Sequence, residues 1–152
     1  MQLSPHFSLA QLVHSETAQQ RGIDNSPSPE VLKNLRRLAA GLEEVQRLLG
    51  AAISISSGYR CEALNEAIGG SRTSQHVQGL AADFTCPDYG PPLDVARAMQ
   101  QSDIDFDQCI LEFGRWVHVS FSAAPRGRVL TIYDADKGYV AGLWDEEGNR
   151  VG

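Results

Sequence analysis

Two histidines and an aspartate in this chain have the types and spacing to hold a metal ion. His76 and Asp83 lie close together, with Gly79 between them where the chain can turn sharply. Read as a strand from Leu80, the residues Leu80, Ala82 and Phe84 face one side, and Ala81, Asp83 and Thr85 face the other. A buried lone carboxylate among small neighbours is costly, and a metal or other cation relieves that cost. The third candidate, His118, alternates with Val117 and Val119 in a later stretch that reads as a strand. Its apolar neighbours belong to a core, so His118 shares the opposite, cleft-facing side with Trp116 and Ser120. Two neutral imidazoles and one carboxylate are a usual ligand set for catalytic zinc, with a fourth position left for water. Zinc lowers the pKa of bound water towards about 7 and polarises a carbonyl, which suits amide hydrolysis. The spacing also allows a plainer outcome, a capped loop histidine and a buried structural aspartate.

These residues must be positioned by the elements around them. Ser8 is placed to cap a helix over Leu9–Val13, and Ser15 one over Glu16–Arg21 that Gly22 ends. Ser28, with Pro29 at the first helical position, opens a long helix that runs to about Leu49 and stops at Gly50. Its apolar residues from Val31 to Leu49 recur at steps of three and four, giving one buried stripe; Lys33, Arg36, Arg37, Glu43, Glu44 and Arg47 form a solvated face. Residues 52–56 alternate as a strand, Ser57-Gly58-Tyr59-Arg60 turns out of it, and Cys61 to Ile68 reads as a helix. Arg60 therefore sits at a strand-to-helix junction. It can grip a substrate carboxylate bidentately, or tie down the following loop. Leu93 to Gln101 is a further helix. Strands are expected over residues 109–113, 116–121 and 128–133. His6 and His14 have no partner at ligand spacing and read as surface or packing residues.

Composition narrows the field. The chain has 152 residues, 42% apolar and 21% charged, as expected of one globular domain with a real core. Its net charge of −6 and the lack of any basic run argue against a nucleic-acid partner. Cys61, Cys86 and Cys109 are widely spaced, with no C-x-x-C pair, and read as reduced structural thiols. Neither a signal peptide nor a membrane span is expected. No serine nucleophile elbow or phosphate-binding glycine loop competes; Gly69-Gly70 follows a helix rather than opening one.

The pattern Ser74-x-His76-x-x-Gly79-x-Ala81-x-Asp83, followed by Trp116-x-His118, resembles the zinc D-alanyl-D-alanine peptidase family. That family includes D,D-carboxypeptidases, D-Ala-D-Ala dipeptidases and phage peptidoglycan endopeptidases. The flanks His6-Phe7-Ser8-Leu9, Ser56-Ser57-Gly58-Tyr59-Arg60, Leu64-Asn65, Gly69-Gly70 and Phe106-Asp107-Gln108 look like its small phage and prophage members. The resemblance covers roughly residues 3–133. It implies an α+β Hedgehog/DD-peptidase fold, with a small antiparallel sheet packed on helices, and zinc on His76, Asp83 and His118. It further implies that Arg60 steers a carboxylate or steadies an oxyanion, and that Ser74 contacts bound peptide. Trp116, beside the last ligand, is a substrate-binding candidate.

One position departs from the family pattern. Many members carry an acidic general base three residues before the last histidine, where this chain has Arg115. The nearest acid is Glu112, and hairpin register decides its use. A two-residue turn at Gly114-Arg115 turns Glu112 away from His118. A three-residue loop over 114–116 sets it directly across from His118. The second is favoured, because the other face is apolar and would solvate a carboxylate poorly. The alternative is a Glu112 salt-bridged to Arg60 or Arg115.

The expectation is a monomeric zinc metallopeptidase, a phage or prophage lysin that cuts peptidoglycan stem peptides. Glu112 would be the base and Arg60 would stabilise the oxyanion. It would be made in the cytoplasm and act in the periplasm or cell wall after release, with no nucleic-acid or membrane partner. A catalytically silent zinc-binding module is the alternative, and a metal-free structural domain a third.

Overall fold

The longest helix organises the core. In the computed structural model, which describes residues 1–152, α3 spans Pro29–Leu49 between Ser28, whose side chain accepts from the Val31 N–H, and Gly50 in the left-handed region. Its buried face is Leu35, Leu38, Ala39, Gly41, Leu42, Val45 and Leu49, the stripe that the helical period requires. Two short helices precede it, α1 (Leu9–Val13), closed by a reciprocal Ser8–Gln11 capping box, and α2 (Glu16–Arg21), capped by Ser15 and ended by Gly22. α4 (Glu62–Ala67) starts one residue later than the sequence suggests, because Cys61 acts as its N-cap and accepts from the Leu64 N–H. α5 spans Pro92–Gln100 and buries Val95, Ala96 and Met99.

Six strands form one sheet: β1 (Ser54–Ser57), β2 (Ala81–Thr85), β3 (Gln108–Glu112), β4 (Trp116–Ser120), β5 (Arg128–Ile132) and β6 (Val140–Ala141). Their order is β1-β2-β4-β3-β5-β6. All pairs are antiparallel except β3–β5, which is parallel, so the sheet is mixed rather than the antiparallel one expected. The hairpin β3–β4 leaves one edge of β3 free. The chain then returns round the sheet end and lays β5 along that edge in the same direction as β3. β1 begins two residues later than alternation alone suggests, and a bulge between Ile55 and Ser57 disturbs its pairing with β2.

The two sheet faces are unlike. Ala82, Phe84, Cys109, Leu111, Val117 and Val119 pack with the α3 and α5 stripes in a core of 22 buried residues. Stripping one of its leucines to alanine would cost about 2–5 kcal/mol. The opposite face is crossed by one row of directly paired residues, Ser57, Asp83, His118, Ile110, Leu130 and Ala141, one from each strand. Paired residues point to the same side. The row therefore carries two of the candidate ligands across the middle of a face that no helix of the core covers. No helix is long and apolar enough to cross a membrane.

Candidate metal centre

Asp83 and His118 are direct cross-strand partners at the sheet centre. Cross-strand Cβ atoms sit about 5 Å apart, so the two side chains meet without any loop having to place them. Asp83 Oδ1 lies 3.0 Å from His118 Nδ1 and 3.2 Å from His76 Nε2. His76 comes from the turn before β2. Gly79 adopts a φ of 76° there, and a Cβ on it would press on Val31 and Leu35 of α3, so the turn both needs and hides a glycine. The turn is held at several points. Arg60 N–H donates to the His76 carbonyl, Asn34 Nδ2 to the Gln78 carbonyl, and Gln75 Nε2 to Asp107. The His76 and His118 rings meet edge to face with centroids 5.0 Å apart. The three ligand atoms all lie within 4.8 Å of one another.

The hydrogen bonds decide what these atoms offer. His76 Nδ1 lies 2.7 Å from the Gly58 carbonyl, which can only accept, so the ring proton sits on Nδ1. Gly58 can approach because it has no side chain; a Cβ there would collide with the Leu12 carbonyl. In the neutral ring His76 Nε2 then turns a lone pair toward Asp83. Burial pushes the Asp83 carboxyl up, but the adjoining imidazoles, above all the hydrogen bond from His118, outweigh it and hold the group well below the usual carboxylate range. Two imidazole nitrogens and an ionised carboxylate thus converge on one point, with His76 2% and His118 7% exposed. A nitrogen–nitrogen–oxygen donor set of this kind fits zinc. The Gly58 carbonyl orients His76 as the outer partner of a metal-binding histidine does. Sequence reading did not assign it that role, because a backbone acceptor leaves no mark in residue types.

Glu112 lies on the ligand face, though by a register not foreseen. The loop is three residues long, but it is Phe113-Gly114-Arg115, so Glu112 pairs with Trp116 and Ile110 with His118. Phe113 and Gly114 both take positive φ, 58° and 65°. A side chain in that region is uncommon, and the Phe113 N–H bond to the Ile132 carbonyl at 2.7 Å helps hold it. Glu112 is therefore diagonal to His118, with Oε1 3.6 Å from Nδ1. Burial raises its pKa and the Asp83 charge adds to the rise, against opposing pulls from His118 and Arg60. It forms no ion pair with Arg60 or Arg115. Arg60 is partly buried, and burial lowers its pKa against the charges of Asp83 and Glu112. Its Nη1 donates to Asn65 Oδ1 at 3.3 Å, while Nε is buried without a partner.

These groups line a cavity of about 830 Å³ that also takes in Ser74, Trp116 and Tyr139. Ser74 Oγ accepts from the His76 N–H at 3.2 Å, so it also steadies that candidate ligand. His6 lies elsewhere, 63% exposed against Glu43, and His14 is exposed outside this cavity. Sequence reading gave Tyr139 no role, and it left Asp107 as a family-like residue with no task. Asp107 proves to be a clasp. It is 2% exposed and accepts from Arg126 Nε, Nη2 and backbone N–H, and from Gln75 Nε2.

The arrangement can bind a divalent cation, hold a carboxylate base beside it and present a guanidinium across the cleft. Among curated proteins none matches the chain. The family model described as peptidase M15 matches residues 5–120, which include all three candidate ligands, Arg60, Ser74, Glu112 and Trp116, and stop short of β5 and β6. With a match over more than half of its length, the chain belongs to the peptidase M15 family, the zinc D-alanyl-D-alanine peptidases.

Proposed function

We propose that the protein is a zinc-dependent peptidase that hydrolyses peptide bonds of bacterial peptidoglycan stem peptides, in a domain of the Hedgehog/DD-peptidase type. The observation that carries this reading is the buried His76–Asp83–His118 cluster on the cleft floor, with Glu112 on the same sheet face. The family match supports the metallopeptidase chemistry.

Bound zinc supplies Lewis acidity to water and to the scissile carbonyl. His76, Asp83 and His118 would hold it, and the Gly58 carbonyl keeps His76 in the tautomer that can bind. Glu112 takes a proton from the attacking water and delivers it to the leaving amine. Arg60 faces the negative charge that develops on the carbonyl oxygen. Ser74 and Trp116 contact the peptide along the cleft wall. The physiological role we propose is that of a phage or prophage lysin. It acts as a monomer, made in the cytoplasm and reaching the wall after release. The likeness of its flanking motifs to small phage members supports this part.

The test is direct. Protein reconstituted with zinc is incubated with isolated stem peptides, and the products are identified by mass spectrometry. Zinc near one equivalent with peptide cleavage is the expected result. Zinc binding without cleavage of any wall peptide would instead favour the silent binding module, the reading that Arg115 at the family's acidic position supports.

A further inference from the structure

One cleft residue comes from outside the stretch that the family model matches. That match ends at residue 120, and Tyr139 follows β5 in the turn that leads into β6. The turn is pinned. The Asp134 carbonyl accepts from the Lys137 and Gly138 N–H groups, and the Asp134 carboxylate accepts from the Asp136 N–H. Strand register then sets where Tyr139 stands. Leu130 pairs with Ala141 and Thr131 with Val140, so residue 139 comes level with Ile132, and Ile132 is the partner of Glu112. Ala141 belongs to the row on the ligand face, and alternation returns Tyr139 to that face. Tyr139 accordingly lines the same cavity as Asp83, Glu112 and His118.

It brings an uncommitted donor there. Tyr139 is 57% exposed. Its hydroxyl has no hydrogen-bond partner in the chain, whereas Tyr133, at the start of the same turn, donates its hydroxyl to the Trp144 carbonyl at 2.9 Å. Partial burial raises the Tyr139 pKa, and the charges of Glu112 and Asp83 add to the rise, so the phenol keeps its proton beside both carboxylates. The neighbouring polar groups of this wall are placed otherwise. Asp107 clasps Arg126 through Nε and Nη2, and Gln108 stands at the opposite end of β3 from Glu112. Ile110 and Leu130 give the floor between them an apolar surface. Arg60 enters from the turn after β1, at the other end of the sheet from β6.

We propose that Tyr139 is a substrate-contacting residue, whose hydroxyl donates to a carbonyl of the peptide bound beside Glu112. This rests on the peptidase reading above and deepens it. A peptide that enters the cleft gives up water, and each carbonyl it presents then needs a donor from the protein. Arg60 supplies one from the β1 end and Tyr139 one from the β6 end, while the Tyr139 ring closes over the apolar floor of Ile110 and Leu130. The chain beyond residue 120 is then a working wall of the cleft as well as an outer edge of the sheet.

Tyr139→Phe removes the hydroxyl and keeps the ring. With zinc-loaded protein and a stem peptide it should lower kcat/KM about fivefold or more, the worth of one lost hydrogen bond. Zinc content and melting temperature should stay those of the wild type, because the hydroxyl holds nothing in the chain. Tyr139→Ala, which removes the ring as well, should lower kcat/KM further. Binding gives a second readout. In Glu112→Gln, which turns peptide over slowly, adding Tyr139→Phe should weaken stem-peptide affinity about fivefold by calorimetry. A Tyr139→Phe variant with the kcat/KM and peptide affinity of its parent would overturn the donor role, whatever Tyr139→Ala does, since the ring alone would then act. Activity lost in step with zinc or with thermal stability would overturn it too, by making Tyr139 a structural prop. Both of these leave the peptidase reading standing. Failure of the wild type to bind or cleave any stem peptide would bring down that reading and this contact with it.

Discussion

Asp83 and Asp107 are both largely enclosed carboxylates, both held below their usual pKa, and they do unlike things. Asp107 is satisfied by donors alone: a guanidinium, the NH2 of a side-chain amide and a backbone N–H. It needs nothing more, and it ties the β4–β5 connection to the loop that carries His76. Asp83 faces two imidazoles, one of which turns a lone pair toward it. Its surroundings are complete only with a cation. A buried carboxylate ringed by donors is a fastener, and one that faces a lone pair is part of a site.

The comparison breaks first at Asp83. Asp83→Ala or His76→Ala should abolish peptide hydrolysis and stoichiometric zinc binding, read by metal analysis and product assay. A chelator should lower the melting temperature of the wild type and leave either variant nearly unmoved, since only the wild type has bound zinc to lose. Glu112→Gln should reduce kcat by about 10²–10⁴-fold, the usual contribution of a general base, with zinc content unchanged. Full activity in that variant would remove Glu112 from the mechanism.

At Asp107 the expected loss is of stability rather than metal. Asp107→Asn should cost about 1–3 kcal/mol in denaturant unfolding, since a part-exposed Arg126 loses its charged acceptor. Zinc binding should persist. The pH dependence has a definite sign. Hydrogen bonds from Arg126 are the leading cause of the lowered Asp107 pKa. Its contribution is therefore full above the unfolded value, near pH 4, and is lost as pH falls from there through the folded value. The stability gap between wild type and Asp107→Asn should be wide at pH 7 and narrower at pH 3. A gap independent of pH would mean that the carboxylate charge is not what stabilises.

The smallest effect concerns the thiols. Burial pushes the Cys109 thiol up to about 12, and Cys86 is raised by burial as well. Alkylation of native protein should therefore label the partly exposed Cys61 first and Cys109 only on unfolding. Equal labelling of all three would show that the core opens readily.

Much of the scaffold was legible because its signals are local. Ser8, Ser15 and Ser28 as caps, Gly22 and Gly50 as stops, and the stripe of α3 are decided within one or two turns of chain. The alternation around Asp83 and His118 likewise assigns each to the polar face of its strand. The hairpin register was not legible to the residue. The burial preference of Glu112 chose the correct face, but parity alone cannot separate a partner at His118 from one at Trp116, two residues apart. The positive φ of Phe113 settled it, and a phenylalanine is a poor advertisement for that conformation. The parallel placement of β5 was illegible for a related reason, since alternation carries no strand direction.

By itself, then, the sequence determined the ligand types, their faces and the elements that hold them, because these depend on spacing along the chain. Only the tertiary structure decided that Asp83 and His118 are direct partners and that the Gly58 carbonyl sets the His76 tautomer. Each of these joins residues far apart in the chain, and their meeting is decided by how β1, β2, β3, β4 and β5 pack rather than by any local pattern.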